Sequence, residues 1–409
     1  MSDVRAGSET CLQSGECASL PASVVLLFAV ASGLSVANVY YAQPLLDALA
    51  LDLGISQALV GGVVSTTQVG SALALLLLVP LGDRLDRRRM MTGQVLALVV
   101  ALVLVACARS SPSLLMGMLL VGLLGTAMTQ GLVAYAASAA APHERGRVVG
   151  AAQGGVFIGL LMARVFAGVV GDLAGWRGVY LCSAGLMLGL ALPLWRGLPA
   201  QRAATRVGSY PKLIASMLVL LRDTRTLQIR GVLALLMFAA FNIFWSALVL
   251  PLRAPPYSFS HAAIGAFGLA GVAGALMAAH AGRWADRGHG ERTTAAALAI
   301  LLLAWIPLAL MPWSLWALVV GIVLLDLGGQ ALHVTNQSMI FAANPGAQSR
   351  LVGLYMLFYA AGSGLGALGA TLAYATAGWP AVCALGAAVC LLAMAFWAIT
   401  LRYSAGARA

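Results

Sequence analysis

Residues 83–89 read Asp-Arg-Leu-Asp-Arg-Arg-Arg, and the Asp-Arg pair that opens this stretch returns 203 positions later, at residues 286–287. Other residues that commonly punctuate helices return at the same distance: Pro142 as Pro345, and Gly175-Trp176 as Gly378-Trp379. A self-similarity that covers half of the chain predicts two homologous halves built from the same succession of elements.

The amino-acid composition indicates that these two halves lie in a membrane. Of the 409 residues, 61% are hydrophobic and only 9% are charged, whereas soluble domains carry about 25% charged residues. A spanning helix needs about 20 apolar residues, and twelve such runs lie near residues 22–46, 57–81, 90–108, 113–141, 148–172, 178–195, 230–252, 261–282, 293–311, 314–342, 351–377 and 379–401. Because the runs are too long for barrel strands, we predict an all-α integral membrane protein with twelve transmembrane helices in two pseudo-symmetric six-helix bundles.

The polar segments divide the chain into five parts. They are a disordered cytoplasmic tail (1–21), an N-terminal six-helix bundle (22–195), a cytoplasmic linker (196–229), a C-terminal six-helix bundle (230–401) and a cytoplasmic tail (402–409). An apolar stripe in the linker predicts a short helix on the membrane surface; the alternative is an ordinary connector packed on the bundle. A site between two related bundles can open to either side in turn, so this organisation favours a transporter.

The formal charge of +11 comes from basic residues that are unevenly divided between the loops on the two sides of the membrane. Nearly all Arg and Lys residues fall on one predicted side of the membrane, and the opposite side carries only Arg109, Arg177 and Arg253. By the positive-inside rule, we predict that both termini are cytoplasmic. A nucleic-acid surface would gather its basic residues on one soluble face, so no nucleic-acid partner is expected.

The sequence gives little support for a nucleotide-binding site, a metal site or an enzymatic active site. Residues 364–369 match a dinucleotide-binding pattern, but no strand precedes them, and in an apolar helix such glycines let helices approach closely. No two histidines have the spacing of a metal-binding helix, no nucleophile elbow is present, and the six cysteines form no paired framework. We therefore predict neither an enzyme nor a metal site.

The stretch from Asp83 to Arg89 lies between predicted spans two and three, where it resembles the loop signature of the major facilitator superfamily. Residues 282–287 fit the same pattern between spans eight and nine. Both copies depart from it, since Val79 and Asp86 stand where the family has glycine and the second copy lacks the final basic pair. The resemblance covers nearly the whole chain and implies two six-helix bundles in a lipid bilayer, a small-molecule substrate and a monomer.

In that family the loop carboxylate is thought to act as a conformational latch between the bundles, and by resemblance Asp83 would do so here. The matching residues of the two loops would complete the latch: Arg84, Arg87, Arg88, Asp286 and Arg287. A carboxylate near a helix N-terminus gains about 0.3–1 kcal/mol from the helix dipole. The alternative is that the arginines only set the topology.

Two further stretches resemble bacterial efflux-type members, which implies a place in the inner (plasma) membrane of a bacterial cell. Gly150, Gly154, Gly155, Gly159 and Gly168 in span five are similar to a loose form of the antiporter signature of drug and proton exchangers, although its proline is missing. Helix packing alone also explains small residues at this spacing. The stretch from Asn38 to Leu46 is similar to the first span of efflux-type members, which favours export.

Polar residues in the spans are candidates for the site. A charge near the bilayer centre costs about 2.5–3.5 kcal/mol, and Arg164 in span five and Asp326 in span ten lie at matching depths. Asp326, Gln330, His333 and Gln337 lie on one face of span ten. Similar positions elsewhere are Gln153 in span five, Asn38 and Tyr41 in span one, Gln130 in span four, and Asn242 and Trp245 in span seven. In the family, spans one, four, seven and ten surround the central cavity, so the resemblance implies a substrate site; the alternative is hydrogen bonds that only hold the bundle.

Asp326 is the only acidic residue predicted deep in a span, so it is the first candidate for a proton carrier. The approach of Arg164 in one conformation and its departure in another would change the proton affinity of the carboxyl. His333 is the alternative titrating group. We therefore predict a proton-coupled exporter of small organic molecules that is driven by the proton gradient and needs no cofactor. The alternatives are a facilitator or importer of a sugar, amino acid or metabolite, and a ligand sensor with a transporter fold.

Overall fold

The computed structural model of the protein describes residues 19–83, 86–141, 143–198, 210–272, 280–281, 283–343 and 348–406. Within these ranges the backbone is helical almost throughout, and no strand occurs among them. The prediction of an all-α membrane fold is confirmed for the described part of the chain.

The helices of the first half follow one another with short connections. They are α1 (Ala22–Tyr40), α2 (Leu46–Leu53), α3 (Gly61–Leu73), α4 (Arg87–Ala106), α5 (Ser111–Ala139) and α6 (Arg145–Gly197). A 3-10 turn, Gln43–Leu45, joins α1 to α2, and α3 continues through Ala74–Leu78 and Val79–Asp83 in π-helical and 3-10 form.

The second half begins with a helix in the linker. Its helices are α7 (Tyr210–Asp223), α8 (Arg225–Ala247), α9 (Val249–Arg253), α10 (His261–Ala266), α11 (Gly290–Ala309), α12 (Leu315–Ala343) and α13 (Gln348–Gly406). A 3-10 segment, Phe267–Gly271, continues α10, and a π-helical turn, Ala285–His289, precedes α11.

The two longest helices, α6 and α13, each contain a sharp kink at the repeated Gly-Trp pair. Gly175 has φ 69° and Gly378 has φ 66°, a left-handed conformation that glycine adopts without steric cost. The tryptophan that follows is buried in both halves, and Trp379 Nε1 donates to the Leu308 carbonyl at 2.8 Å. The kinks divide α6 into predicted spans five and six, and α13 into spans eleven and twelve.

Nine helical stretches in the described ranges are long and apolar enough to cross a membrane. They are Ala22–Leu53, Gly61–Leu81, Arg87–Ala106, Ser111–Ala139, Arg145–Gly197, Arg225–Arg253, Arg287–Ala309, Leu315–Ala342 and Arg350–Leu401. Because two of them contain two spans each, the nine stretches correspond to eleven predicted spans. Predicted span eight begins with α10 and Phe267–Gly271, while residues 273–279 and 282 lie outside the described residues. The count of twelve is consistent with this arrangement.

Successive spans run in opposite directions, so alternate loops lie at the same end of the bundle. The loops at 54–60, 107–110, 254–260 and 310–314 share the end that the charge distribution predicts to face outside. We call this the outer end and the opposite one the inner end. The two halves meet along two seams, α3 against α13 and α6 against α10 with its 3-10 continuation.

Glycines let α6 approach helices of both halves. A Cβ atom added at Gly155 would lie 2.0 Å from the Ala29 carbonyl oxygen on α1, and one at Gly168 would lie 2.3 Å from the His261 carbonyl oxygen on α10. Gly150 and Gly154, by contrast, have open space around the Cβ position. Close packing therefore accounts for part of the glycine pattern in span five, including one contact between the halves.

The linker helix α7 packs on the second half at the inner end. Met217 is buried in a small cluster that includes Leu227 and Leu351, and Arg350 Nη1 donates to Ser216 Oγ at 3.2 Å. Leu218, on the other side of the helix, is exposed. The helix thus packs on the second half through one face and exposes apolar side chains on another. Its placement on the membrane surface stays a prediction.

Candidate functional site

Arg164 is the buried cation of the site. It lies on α6 with only 3% of its surface exposed. Its guanidinium carbon lies 3.9 Å from the ring centroid of Trp245 on α8 and 6.0 Å from that of Tyr40 on α1. Such cation–π contacts contribute about 2 kcal/mol or more when desolvated. Because Trp245 belongs to the second half, the arginine joins the two halves through an aromatic face.

A chain of side-chain hydrogen bonds extends from Arg164 across the halves. Arg164 Nη2 donates to Gln43 Oε1 at 3.1 Å, Gln43 Nε2 donates to Asn242 Oδ1 at 3.0 Å, and Asn242 Nδ2 donates to Ser363 Oγ at 2.9 Å. Arg164 and Asn242 are among the residues predicted from the sequence, whereas Gln43 and Ser363 are not. The available signal was the position of Gln43 in the efflux-like stretch, two residues after Tyr41 and next to Pro44.

Asp326 on α12 is the buried carboxylate of the site, with 5% of its surface exposed. Its Oδ2 atom has no hydrogen-bond partner among the described residues, and the same holds for Arg164 Nε. No ion pair within 4.0 Å joins these two described side chains. Two opposite charges, one from each half, are therefore buried without forming an ion pair.

The segment Phe267–Gly271 passes between the two charges. A Cβ atom at Gly268 would lie 3.2 Å from Arg164 Cδ, and one at Gly271 would lie 3.1 Å from Asp326 Oδ2. Both glycines belong to the beginning of predicted span eight, so span five and span ten face each other across span eight. The absence of two side chains leaves both charged groups against the same stretch of backbone.

The remaining polar residues of span ten lie closer to the inner end. His333 is two turns, about 10 Å, from Asp326 along α12. Its Nδ1 atom lies 2.9 Å from the Tyr355 hydroxyl, and its Nε2 atom lies 3.4 Å from Gln337 Nε2. Gln330 and Gln337 are partly buried. Asp326 and His333 thus belong to two separate polar groups on one helix.

Other candidates lie at different places in the first half. Asn38 is fully buried, where its Oδ1 accepts a hydrogen bond from Ser183 at 2.7 Å. Tyr41 is buried with its ring 5.3 Å from that of Phe166. Gln130 is partly buried and Gln153 is exposed. Asn38 and Tyr41 therefore make contacts within the first half, and neither they nor Gln153 contact the Arg164 side chain through any hydrogen bond found among the described residues.

An aromatic contact between the halves lies beside the charged pair. The hydroxyl groups of Tyr40 on α1 and Tyr359 on α13 are hydrogen-bonded. The ring of Tyr359 also lies 4.2 Å from that of Phe238 on α8, in an edge-to-face arrangement. Both tyrosines are thus placed at the meeting point of the first and second halves.

A second group of charges closes the outer end, and sequence analysis did not predict it. Asp47 and Asp172 belong to the first half, while Arg253 and His261 belong to the second. Arg253 Nε donates to Asp47 Oδ2 at 2.9 Å, and His261 lies 3.0 Å from both Asp47 Oδ1 and Asp172 Oδ1. We call these four residues the outer closure. Above Arg164, the nearby residues Gln43, Ile264 and Val249 leave a cavity no larger than a water molecule.

The inner end includes polar contacts that stay within one half. The Leu20 amide donates to Glu144 Oε1 at 2.9 Å, and Arg147 donates to the other carboxylate oxygen at 2.8 Å. The Leu20 amide, with help from Arg147, holds the pKa of the Glu144 carboxyl below its usual range. In the second half, Arg230 pairs with Glu291. These contacts anchor helix ends and do not tie the halves together.

Comparison with known proteins agrees with this architecture. A family model described as Major Facilitator Superfamily matches residues 27–287 and 230–408. The chain belongs to the major facilitator superfamily. It is 40% identical to the uncharacterized transporter YgaY of Escherichia coli O157:H7 over 92% of this chain and 95% of the relative. It is 32% identical to the probable transporter SCO4007 of Streptomyces coelicolor over 88% and 84% of the two chains.

The fold of this protein is also found among solved structures. The crystal structure of the nucleoside transporter NupG superposes with a TM-score of 0.75, covering 92% of this chain and 99% of that one at 16% identity. At this identity the likeness concerns the fold alone. The family prediction is confirmed, whereas membership of the efflux-type branch stays a prediction.

The predicted latch lies only partly within the described residues. Arg84 lies outside the described residues, as do the side chains of Asp83 and Asp286. Arg87 Nη1 donates to Ser138 Oγ at 3.1 Å, and the Arg88 guanidinium carbon lies 4.9 Å from the Trp195 ring centroid. Arg287 is exposed. These contacts of Arg87 and Arg88 lie within the first half, and the latch role of Asp83 stays a prediction.

Proposed function

We propose that this protein is a secondary transporter that exports a small organic molecule in exchange for protons, and that Asp326 carries the proton. The observation that supports this proposal is the buried, unpaired couple of Arg164 and Asp326. Each charge comes from a different half, and both face the same glycine-containing segment.

The energetics favour a functional role over a structural one. Burying an ion costs several kcal/mol even after relaxation, and only close pairing with good geometry offsets that cost. A carboxylate that has no direct partner can instead become neutral by binding a proton. Protonation of Asp326 would remove one of the two buried charges, so the energy of the site depends on whether a proton is present.

Alternating access connects this proton to transport. Arg164 and Asp326 belong to different halves, so a rocking motion of the halves changes their separation. A change of separation changes the proton affinity of the carboxyl. The proton can then be bound in one conformation and released in the other, which is the requirement for coupling. Export is favoured by the resemblance of Asn38 to Leu46 and of the span-five glycines to efflux-type members.

The test uses inverted membrane vesicles that respiration has acidified, with acridine orange as the reporter of the proton gradient. A panel of cationic, anionic and neutral amphipathic compounds is first screened for thermal stabilisation of the purified protein. A stabilising compound should release protons from vesicles that contain the wild-type chain. Asp326→Asn should abolish this release, whereas Asp52→Asn, an exposed aspartate at the outer end, should preserve it.

Two outcomes decide against parts of the proposal. Proton release that is undiminished in Asp326→Asn would exclude Asp326 as the carrier, and His333→Gln would then be tested in the same assay. If counterflow of the same compound proceeds at one rate with and without a proton gradient, and no protons move, the protein is a facilitator.

A further inference from the structure

The ring of His261 lies between two carboxylates, one at each nitrogen. Nδ1 lies 3.0 Å from Asp172 Oδ1, and Nε2 lies 3.0 and 3.2 Å from the two oxygens of Asp47. An ionised carboxylate can only accept hydrogen bonds, and a neutral imidazole has only one N–H to donate. Both contacts are therefore satisfied together only when the ring is doubly protonated. If a carboxyl held the proton instead, the group would still hold the same number of protons.

The charge balance of the outer closure leads to the same conclusion. The groups that face His261 are Asp47 on α2, Asp172 on α6 and Arg253 on α9. With a protonated ring, the two negative and two positive charges cancel. With a neutral ring, the group carries one uncompensated negative charge. His261 has 7% of its surface exposed, so water screens this charge only in part.

Every ion pair of the outer closure crosses from one half to the other. Asp172 also accepts hydrogen bonds from the backbone amides of His261 and Ala262 at 3.0 and 2.8 Å. It thus places a carboxylate of the first half on the N-terminus of α10, a helix end that favours negative charge. When the halves separate at the outer end, all of these contacts are lost together, and His261 becomes a solvated histidine.

We propose that His261 is a second proton-binding site, which takes up one proton when the outer end closes and releases it to the outside when the outer end opens. A solvated imidazole is mostly neutral above pH 7. By linkage, a conformation that holds one more proton becomes more populated as pH falls. External acid therefore favours the closed outer end and external alkali favours the open one, independently of the proton on Asp326.

The experiment measures the distance between the halves at the outer end as a function of pH. Spin labels are attached through Gln57→Cys in the first half and Trp313→Cys in the second, both exposed outer-end positions. The full-length parent chain has its own cysteines replaced by serine and carries Asp326→Asn, so that the central carboxyl adds no pH dependence of its own. Pulsed electron–electron double resonance on the protein in lipid nanodiscs gives the distribution of distances between the labels, and thus the closed and open populations, between pH 5.5 and 9. No ligand is needed.

The ratio of closed to open molecules in the parent chain should fall by up to tenfold per pH unit over part of this range, because one proton is released on opening. His261→Gln, which keeps a hydrogen-bonding side chain without a titrating ring, should remove this dependence. His143→Gln, which changes an exposed histidine at the inner end, should leave it intact.

A second variant guards against a loss of folding in His261→Gln. Asp172→Asn removes one of the two carboxylates and should move the midpoint of the transition to lower pH, since the imidazolium then has a weaker partner. The proposal would be overturned if the closed and open populations of the parent chain did not change with pH. It would also be overturned if the populations of His261→Gln changed with pH as those of the parent do. Because the parent chain has no titrating group at position 326 and the measurement involves no transport, neither result depends on the function proposed for Asp326.

Discussion

Opposite charges lie between the two halves at two depths. The charges at the outer end are paired, whereas those in the centre are not. In the outer closure, Asp47, Asp172, Arg253 and His261 are all paired across the halves, and their side chains retain some contact with water. In the centre, Arg164 and Asp326 are almost completely buried and do not pair. The outer charges stabilise the conformation in which the outer end is closed. The energy of the central charges depends instead on whether a proton or a ligand is bound.

The cost of desolvation explains why this difference is informative. A partly exposed ion pair has lost little hydration and gains modestly from its partner. A buried ion has lost most of its hydration, so the absence of a partner is expensive. The aromatic faces of Trp245 and Tyr40 and the amide of Gln43 offset part of that cost for Arg164. Asp326 has no comparable contact on Oδ2 among the described residues, which makes it the more responsive of the two.

The largest effect is expected for Asp326→Asn. Removing the titrating group should abolish proton-driven transport of any substrate found in the screen, while the abundance of the protein in the membrane stays within about twofold of the wild type. Because Asp326 forms no ion pair with Arg164, the variant should not lose the roughly 3–5 kcal/mol of stability that removal of one partner of a buried pair costs. Thermal unfolding of the purified variant measures the second effect. A lower unfolding temperature would mean that Asp326 has a structural partner, and the contrast between the two depths would break down.

The next largest effect is expected for Gly168→Ala, which acts on the outer closure without changing any charge. The new Cβ atom would lie 2.3 Å from the His261 carbonyl oxygen, so α6 and α10 must separate. The closed outer end should then become the minor population in the spin-label measurement at pH 6. Gly150→Ala, on the same helix with open space at its Cβ position, is the matched control and should keep the parent distribution.

The two regions also differ in what their sequence revealed. Arg164 and Asp326 could be found because a charge inside a long apolar run stands out, and their matching depths followed from the span boundaries. The glycine segment between them could not be foreseen, since the spacing of Gly268 and Gly271 says nothing about which helices they face. The repeated Gly-Trp pair predicted equivalent positions in the two halves, and the positive φ of Gly175 and Gly378 supplies the physical reason.

The outer closure gave no such signal. Asp47, Asp172 and His261 lie near the ends of apolar runs, where a charged residue is ordinary. Asp47 and His261 are also 214 positions apart, and only the packing of the two halves brings them together. The 3-10 turn that carries Gln43 between α1 and α2 was hidden for a related reason, since the apolar pattern continues through it without a break.

A smaller effect is expected for Asp47→Asn, which weakens the outer closure by removing one charge. The amide can still accept one hydrogen bond, but the charge-assisted contacts with Arg253 and His261 are lost. A hydrogen bond to a charged group contributes about 1.5–3 kcal/mol, so the closed-to-open ratio at pH 6 should fall by roughly tenfold to a hundredfold. The double variant Asp47→Asn with Arg253→Gln provides the check. If the two changes add fully, the Asp47–Arg253 pair does not hold the halves together.

The smallest effect is expected for Arg177→Gln, at a second ion pair of the outer end. Arg177 Nη1 donates to Asp52 Oδ2 at 2.6 Å, with both side chains well exposed. Unlike the pairs of the outer closure, this one joins α6 to α2 within the first half. An exposed pair contributes about 0–1 kcal/mol, and here that contribution is the same whether the halves are together or apart. The closed-to-open ratio should therefore stay unchanged at every pH, even at low ionic strength where surface charges interact most strongly. A clear change of the closed-to-open ratio in Arg177→Gln would mean that the summed charge of the outer end controls closure. The position of His261 between two carboxylates would then not be needed to explain the pH dependence.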